Sequence, residues 1–511
     1  MEALSSGFHM TTILSLFFTL CVFASISCVA IFFLTIELGR RKLKHIPGPR
    51  RTSAIYGCLQ EVREFLEKGQ NKLDLLVKWQ EEYGTVFKYS ILHRYIVAAF
   101  DPDVVKEILS KTSVHLKPYR PYGIMAQVLG SRFMGNGLIT EANHARWKVH
   151  RAMLNPSFHR KYLVTMVDTF NASADHLVNY LMERADGLQE VRMYDAFNNI
   201  TLDIIAKVTF NMELNIIDDP DNPFPNSILT CLNAIMTSIN NPWMQYGLTK
   251  KDRKAKADVK AACDFLRGFG RDCVNARLAA KARGEELPND MLTNILQASQ
   301  DLEGNENFGI DEMLDEFVTF FIAGQETTSN LMSFTLEMLG KHPHVLQKVQ
   351  DELDEKLGSQ MFISFQDMGK LDYLMLVLKE SLRMYAPAPI VTRVTGTEVK
   401  ASTGLIIPKG SQLNLSPFVM GRMSEFFEDP LVFRPERFVE SKHSPYAYFP
   451  FALGQRSCIG QQFALIEARI IMAKLLQQFK FDLVPGQNWN LSYAVTIRPD
   501  DGCRNYVSLR H

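Results

Sequence analysis

The chain has 511 residues, is 46% hydrophobic and carries 56 basic against 56 acidic residues. That length and apolar content allow one large enzyme domain with a sizeable core, and the balanced charge gives no reason to expect a nucleic-acid partner. The eight cysteines are sparse and form no C-x-x-C pair, which argues against a zinc site or a disulfide framework and fits a reducing compartment.

In chain order, the first element is an apolar helix. Met10–Ile36 carries no charged residue and exceeds the ~20 residues that cross a bilayer. No Lys or Arg precedes it and no clean small-x-small cleavage site ends it, so an anchor is expected rather than a cleaved signal. Arg40, Arg41, Lys42 and Lys44 follow. By the positive-inside rule the short N-terminus is lumenal and the remainder cytosolic. Pro47-Gly48-Pro49 breaks the helix and reads as a stiff hinge. The expected division is residues 1–36 as tail and anchor, 37–55 as a basic, proline-containing linker and 56–511 as the catalytic domain.

Short strands are expected at Val86–Tyr89, Tyr95–Ala99 and around Pro408-Lys409-Gly410 in Leu405–Leu415. Apolar residues at three-to-four spacing predict helices over Tyr162–Arg184, Val259–Arg283 and Asp311–Leu339. The fold class is mainly α with small β-sheets. Lys250, Lys251, Arg253, Lys254, Lys256 and Lys260 form a basic cluster, read as a solvated helix face, with acidic lipid headgroups or a partner as the alternative. Asn171, Asn199, Asn414 and Asn490 fit the glycosylation acceptor pattern; a cytosolic domain leaves all four unmodified.

Three segments carry chemistry. Phe451-Ala-Leu-Gly454-Gln-Arg456-Ser-Cys458-Ile-Gly460 sets a cysteine in a glycine-bracketed loop before the apolar helical run Phe463–Leu476. A helix N-terminus stabilises a thiolate, and glycines admit a flat cofactor close to backbone. Glu380 and Arg383 stand at i and i+3 in the helix Tyr373–Tyr385, so their charges share a face; Pro435-Glu436-Arg437-Phe438 follows. Ala323-Gly324-Gln325-Glu326-Thr327-Thr328 interrupts the apolar stretch Phe317–Ile322. A threonine there bonds back to its own helix, which often bends it, or serves with the acid in proton transfer.

The cysteine segment resembles the haem-binding signature of the cytochrome P450 family at Phe451, Gly454, Arg456, Cys458 and Gly460, and the resemblance runs from about Pro47 to Ser508. It implies the cytochrome P450 fold, haem b with an axial thiolate from Cys458, and monooxygenase activity using O2 and NADPH electrons from a membrane-bound NADPH–cytochrome P450 reductase. By the same resemblance Glu380, Arg383 and Arg437 form a buried structural triad. Gly324 opens a groove for O2, and Glu326 and Thr327 relay protons. Trp147, Arg151, Arg393 and Arg456 hold the haem propionates. Basic residues such as Lys148 and Arg160 are expected to meet the reductase, on the cytosolic face of the endoplasmic reticulum.

Within the family, Gly135–Glu141, Phe317–Thr327, Val377–Tyr385, Val419–Met423, Tyr448–Ala464, Met472–Gln477 and Leu483–Gln487 look most like a sterol side-chain hydroxylase. Phe133, Phe320, Ala323, Ile390 and Val391 are the implied substrate contacts. Departures fall at Gln325, where relatives carry histidine, at Ala386–Val391, and at Pro118 and Pro121, and each is expected to reshape the pocket. Fatty acids or foreign lipophilic compounds are the alternative substrates. A haem-thiolate isomerase is disfavoured by Glu326-Thr327, and a non-enzymatic lipid carrier by the intact cysteine loop.

Overall fold

The computed structural model describes residues 2–53, 55–219, 221–300, 308–440 and 443–510. Helix α1 (Glu2–Lys42) contains the apolar run and continues past it. Its Ser15–Lys42 portion, 28 residues, is long and apolar enough to cross a bilayer. The helix stops before Pro47, as the proline requires. The segment that follows is docked rather than free. Leu43 and Ile46 are buried, Lys88 donates its Nζ to Leu43 O (2.6 Å) and its N–H to Pro47 O (2.8 Å). A Cβ on Gly48 would fall 1.9 Å from Lys88 O, so only glycine fits where the chain crosses the first strand.

The elements that build the site are, in chain order, β1 (Val86–Ile91), β2 (Arg94–Ala99), α2 (His144–Leu154), α3 (Met193–Phe210), α4 (Pro223–Asn240), α5 (Lys250–Ala282), α6 (Ile310–Lys341), α7 (Asp372–Met384), β3 (Val391–Val394), β4 (Gln412–Leu415), α8 (Gln461–Gln478), β5 (Leu491–Tyr493) and β6 (Ile497–Pro499). Strands β1, β2, β4 and β3 form one sheet in that order. The β2–β4 pair is parallel and the others are antiparallel. One apolar core lies among the helices and a second under this sheet. The expected helix Tyr162–Arg184 is two helices, Arg160–Thr165 and Val167–Met182. They meet at Met166, whose N–H bonds Leu163 O, a tightened last turn.

Helix α6 runs through the helical core. Two glycines let its neighbours approach. A Cβ on Gly270 of α5 would lie 2.8 Å from the Phe317 ring, and one on Gly324 would lie 2.7 Å from Ile205 of α3. Phe210 packs on Phe317 and Phe321 with ring centres 4.5 and 5.4 Å apart. Acidic side chains near its N-terminal end pin the loop before α2. Asp315 accepts from Arg132 (2.6 Å), Arg267 (2.7 Å) and Asn136 N–H (2.7 Å). Glu316 accepts from Leu138 N–H (3.1 Å) and faces His150 Nδ1 of α2 at 2.9 Å. The basic cluster at the start of α5 is a helix face with i,i+4 pairs, Lys254–Asp258 and Lys260–Asp264, as the solvated-face reading expects.

The triad is assembled and buried. Arg383 donates to Glu380 through Nε (2.8 Å) and Nη2 (2.7 Å), and Arg437 Nε donates to Glu380 Oε1 (3.0 Å). Backbone carbonyls of Gly421 and Pro430 take the rest of Arg383, and those of Glu428, Asp429 and Val432 the rest of Arg437. Removing one member strands buried charge, so Glu380→Ala is expected to cost about 3–5 kcal/mol. A thermal unfolding midpoint equal to wild type would refute this role.

Two glycosylation sequons are structurally closed. Asn171 is buried and bonds Val167 O and Ile363 O, and Asn414 is buried against Tyr89. Asn490 is exposed and Asn199 half-buried, so only these report topology. With a cytosolic domain, protein from a glycosylating host is expected to show no glycan at either; intact-mass analysis that finds one at Asn490 reverses the orientation.

Candidate active site

A cavity of about 420 Å³ lies between α6, α4, the cysteine loop and the β5–β6 hairpin. Helix α6 contributes a stripe of Phe320, Ala323, Thr327 and Leu331 at three-to-four spacing, flanked by Thr319, Gly324, Glu326 and Thr328. Helix α4 contributes Leu232, Ile235, Met236 and Ile239, the same pattern. Strand β3 turns Val391 and Arg393 to one side, since side chains alternate along a strand, and both line the cavity.

The cysteine loop is fixed by backbone. Cys458 N–H donates to Phe451 O (2.9 Å) and Ser457 N–H to Gly454 O (3.0 Å). Gly454 has φ +73°, and a Cβ there would stand 2.0 Å from Leu109 O, so glycine is obligatory. Phe451, Cys458 and Gly460 all line the cavity. Burial pushes the Cys458 thiol up, while the Gly460 N–H and the charge of Arg151 pull it down. A Cβ on Gly460 would stand 4.0 Å from Cys458 Sγ, so glycine leaves extra space beside the sulfur.

Cations gather on one side of the cavity. Arg456 lies over the Trp147 ring at 4.3 Å and donates to Glu141 O (2.7 Å). Its Nη2 is buried without a partner, as is Arg393 Nε. Arg393 Nη1 reaches Thr392 O (2.8 Å) and Tyr122 OH (3.3 Å). Lys117, which sequence reasoning missed, bonds Ile139 O and sits 4.8 Å over the Tyr122 ring. Burial and then the charges of Arg393 and Arg456 push the Lys117 ammonium well below its ordinary value. Burial and then Arg393 hold Arg456 down at about 10. The Glu141 carboxylate is engaged elsewhere, by Asn143 N–H (2.6 Å) and Arg146 (3.4 Å). Crowded buried cations with unfilled N–H groups call for a dianion, and the two propionates of haem supply one. Together with the cysteine and the open face at Gly460, these residues fit haem.

Several sequence expectations are corrected. Phe133 is buried in the core and Met134 lines the cavity instead, because bonding of 136–138 to α6 sets the rotation of this loop. Arg151 lines the cavity, but its guanidinium is tied to Ser457 O (2.8 Å) and Asn155 Oδ1 (2.9 Å); it braces the cysteine loop. Gly324 lines the cavity as expected, and a Cβ there would meet Ile205 of α3, which lines it too. Gln325 faces α3, where its side-chain NH2 donates to Asn198 and its backbone carbonyl accepts from Thr201 (3.3 Å); it does not line the cavity. Thr327 donates to Ala323 O (2.7 Å). Glu326 turns to Thr496 (2.8 Å) and Tyr194 (3.3 Å), neither of which sequence reasoning identified. Phe320, Ala323, Ile390 and Val391 line the cavity as expected, and so does Pro121.

Comparison with known proteins agrees with this chemistry. The cytochrome P450 family profile matches residues 47–499. Cytochrome P450 4d2 of Drosophila melanogaster is 28% identical over 486 residues, covering 89% of this chain and 92% of its own. Cytochrome P450 3A11 of Mus musculus is 27% identical over 455 residues, with 86% of each chain covered. Carotene epsilon-monooxygenase of Arabidopsis thaliana is 28% identical over 451 residues, covering 85% of this chain and 81% of its own. The chain belongs to the cytochrome P450 family. It is an oxygen-incorporating oxidoreductase whose cofactor is haem with an axial cysteine thiolate.

Lys117 offers a direct check on the cation cradle. Lys117→Met removes one charge-assisted bond, so haem retention against apomyoglobin is expected to fall about tenfold. Unchanged retention would place the propionates elsewhere.

Proposed function

We propose that this monooxygenase hydroxylates the side chain of a sterol, in the manner of cholesterol 24-hydroxylase. O2 and electrons from NADPH, delivered by NADPH–cytochrome P450 reductase, drive the reaction at the endoplasmic reticulum membrane. Cys458 is the axial ligand. Trp147, Arg393, Arg456 and Lys117 hold the propionates, and Arg151 supports the loop. Haem supplies the oxidising chemistry when bound; the chain orients the substrate, excludes water and moves protons through Glu326 and Thr327.

The observation that carries the substrate class is the distribution of charge. Apart from Glu326, the charged residues lining the cavity are Lys117, Arg151, Arg393 and Arg456, all accounted for by the cofactor and its loop. The remaining wall is apolar or hydroxyl-bearing, which suits a neutral lipophile and leaves no separate cation for a fatty-acid carboxylate. Helix α1 supports delivery from the bilayer, where a sterol partitions. Lys148 and Arg160 are exposed, as a docking face for an acidic reductase requires.

Cholesterol is expected to convert the ferric protein to high spin and to give a side-chain-hydroxylated product with reductase, NADPH and O2. Val391→Phe adds a ring at the cavity wall and is expected to shift the position of attack or block binding. Spin shift and turnover with fatty acids but with no sterol would remove the sterol reading. Cys458→Ala is expected to abolish the carbon-monoxide band of thiolate-bound ferrous haem; its persistence would remove Cys458 as ligand.

A further inference from the structure

Glu326 does not stand alone at the cavity wall. Its Oε1 accepts from Thr496 Oγ1 at 2.8 Å, and Asn330 Nδ2 approaches the same oxygen at 3.5 Å. Its Oε2 accepts from the Tyr194 hydroxyl at 3.3 Å. That hydroxyl in turn accepts from Arg498 Nη1 at 3.4 Å. The groups come from two elements distant in sequence: Tyr194 from the first turn of α3, and Thr496 and Arg498 from the tip and second strand of the β5–β6 hairpin. Burial grades along the series. Glu326 is 3% exposed, Tyr194 8%, Arg498 is half-buried, and the neighbouring Asp195 is exposed. A line of polar groups therefore leads from solvent to the cavity, through a wall that is otherwise packed with apolar side chains.

We infer that Tyr194 is the outer proton-relay residue that replenishes Glu326, with Arg498 and Thr496 as positioning residues. This rests on the reading of Glu326 as a proton carrier and names how it is recharged. A hydroxyl that accepts on one side and donates on the other can pass a proton without net change. Tyr194 gives its O–H proton to Glu326 Oε2 and takes one from water at the Arg498 end. One O–H bond breaks and one forms at each step, and no electrons move. Arg498 never releases a proton; its charge holds the phenol oxygen in line and steadies it as the proton leaves. Burial and then the charge of Glu326 raise the Tyr194 phenol, while Arg498 opposes them, so the phenol keeps its proton at rest. Thr496 occupies the other carboxylate oxygen, which leaves Oε2 as the receiving atom.

The test compares Tyr194→Phe, which keeps the ring and removes only the hydroxyl, with Glu326→Gln and Thr496→Val in the haem-loaded, full-length protein. Tyr194→Phe is expected to keep the wild-type thermal midpoint, carbon-monoxide spectrum and substrate spin shift. Its hydrogen peroxide released per product is expected to rise about tenfold, less than the ~100-fold or more that loss of a positioned general acid itself costs, with a larger solvent deuterium isotope effect. Infrared spectra of the resting ferric protein supply a readout independent of turnover: the Glu326 carboxylate band, absent in Glu326→Gln, is expected to shift in Tyr194→Phe. If Glu326→Gln uncouples and Tyr194→Phe does not, the Tyr194 relay is wrong and the reading of Glu326 stands. If neither uncouples, both fall. A Tyr194→Phe protein that only melts earlier, with wild-type peroxide ratio and isotope effect, makes Tyr194 a clamp and overturns the relay.

Discussion

The buried carboxylate of Glu380 ties helix α7 to the chain from Gly421 to Arg437. It meets two guanidinium groups, and it also accepts Arg434 N–H at 2.9 Å. One carboxylate cannot balance two arginines. The excess charge is met by carbonyls spread from Gly421 to Val432. A chain segment with little regular structure is thereby held by ionic hydrogen bonds rather than by a sheet or helix ladder. Such bonds are about twice as strong as neutral ones, and they are directional, so the segment from Gly421 to Val432 is held in a fixed path. A hydrophobic replacement of similar volume would fill the space without fixing the path.

The opposite economy applies around the cavity. There the cations Lys117, Arg393 and Arg456 lack a carboxylate of their own, and two of their N–H groups are buried without acceptors. The triad is complete within the chain; the cradle is complete only with an anionic cofactor. An anionic group held there would relieve electrostatic repulsion that folding alone leaves in place. Arg151 shows how the two systems join, since it contributes charge near Cys458 yet bonds to the loop carbonyl of Ser457.

The sequence made some of this legible and hid the rest for identifiable reasons. The triad and the cysteine loop were readable because each depends on a short motif, Glu380 with Arg383 on one helix face, and glycines flanking Cys458. Helix α6 was readable from its apolar length. Side-chain direction was not. Phe133 and Met134 are adjacent and both apolar, and only the bonds of Asn136 and Leu138 to Asp315 and Glu316 decide which faces the cavity. Gly324 lines the cavity, and only the fold shows that a Cβ there would meet Ile205. Lys117, Tyr194 and Thr496 are brought in from distant segments, and no local pattern marks a residue whose partners are far along the chain. A lysine before two prolines, beside a cavity that already needs acidic ligands, was the one weak signal available for Lys117.

Helix α6 also explains why an acid and a hydroxyl at adjacent positions take different partners. Residues one apart on a helix point about 100° from each other. Ser333 and Thr335 donate to Ser329 and Leu331 carbonyls, and Thr327 does the same toward Ala323. Such a hydroxyl keeps its lone pairs free while its proton is engaged, so it enters the cavity as an acceptor that must rotate to donate. A threonine has two helix-compatible rotamers for that exchange. A carboxylate cannot bond its own helix's carbonyls; apart from a long contact from Asn330 in the same helix, Glu326 is anchored by other elements instead. Both residues line the cavity, but the carboxylate is held fixed by the α3 and β5–β6 side chains while the hydroxyl is held only by its own helix, a division of labour that follows from the helix angle and from which side chain its own backbone can satisfy.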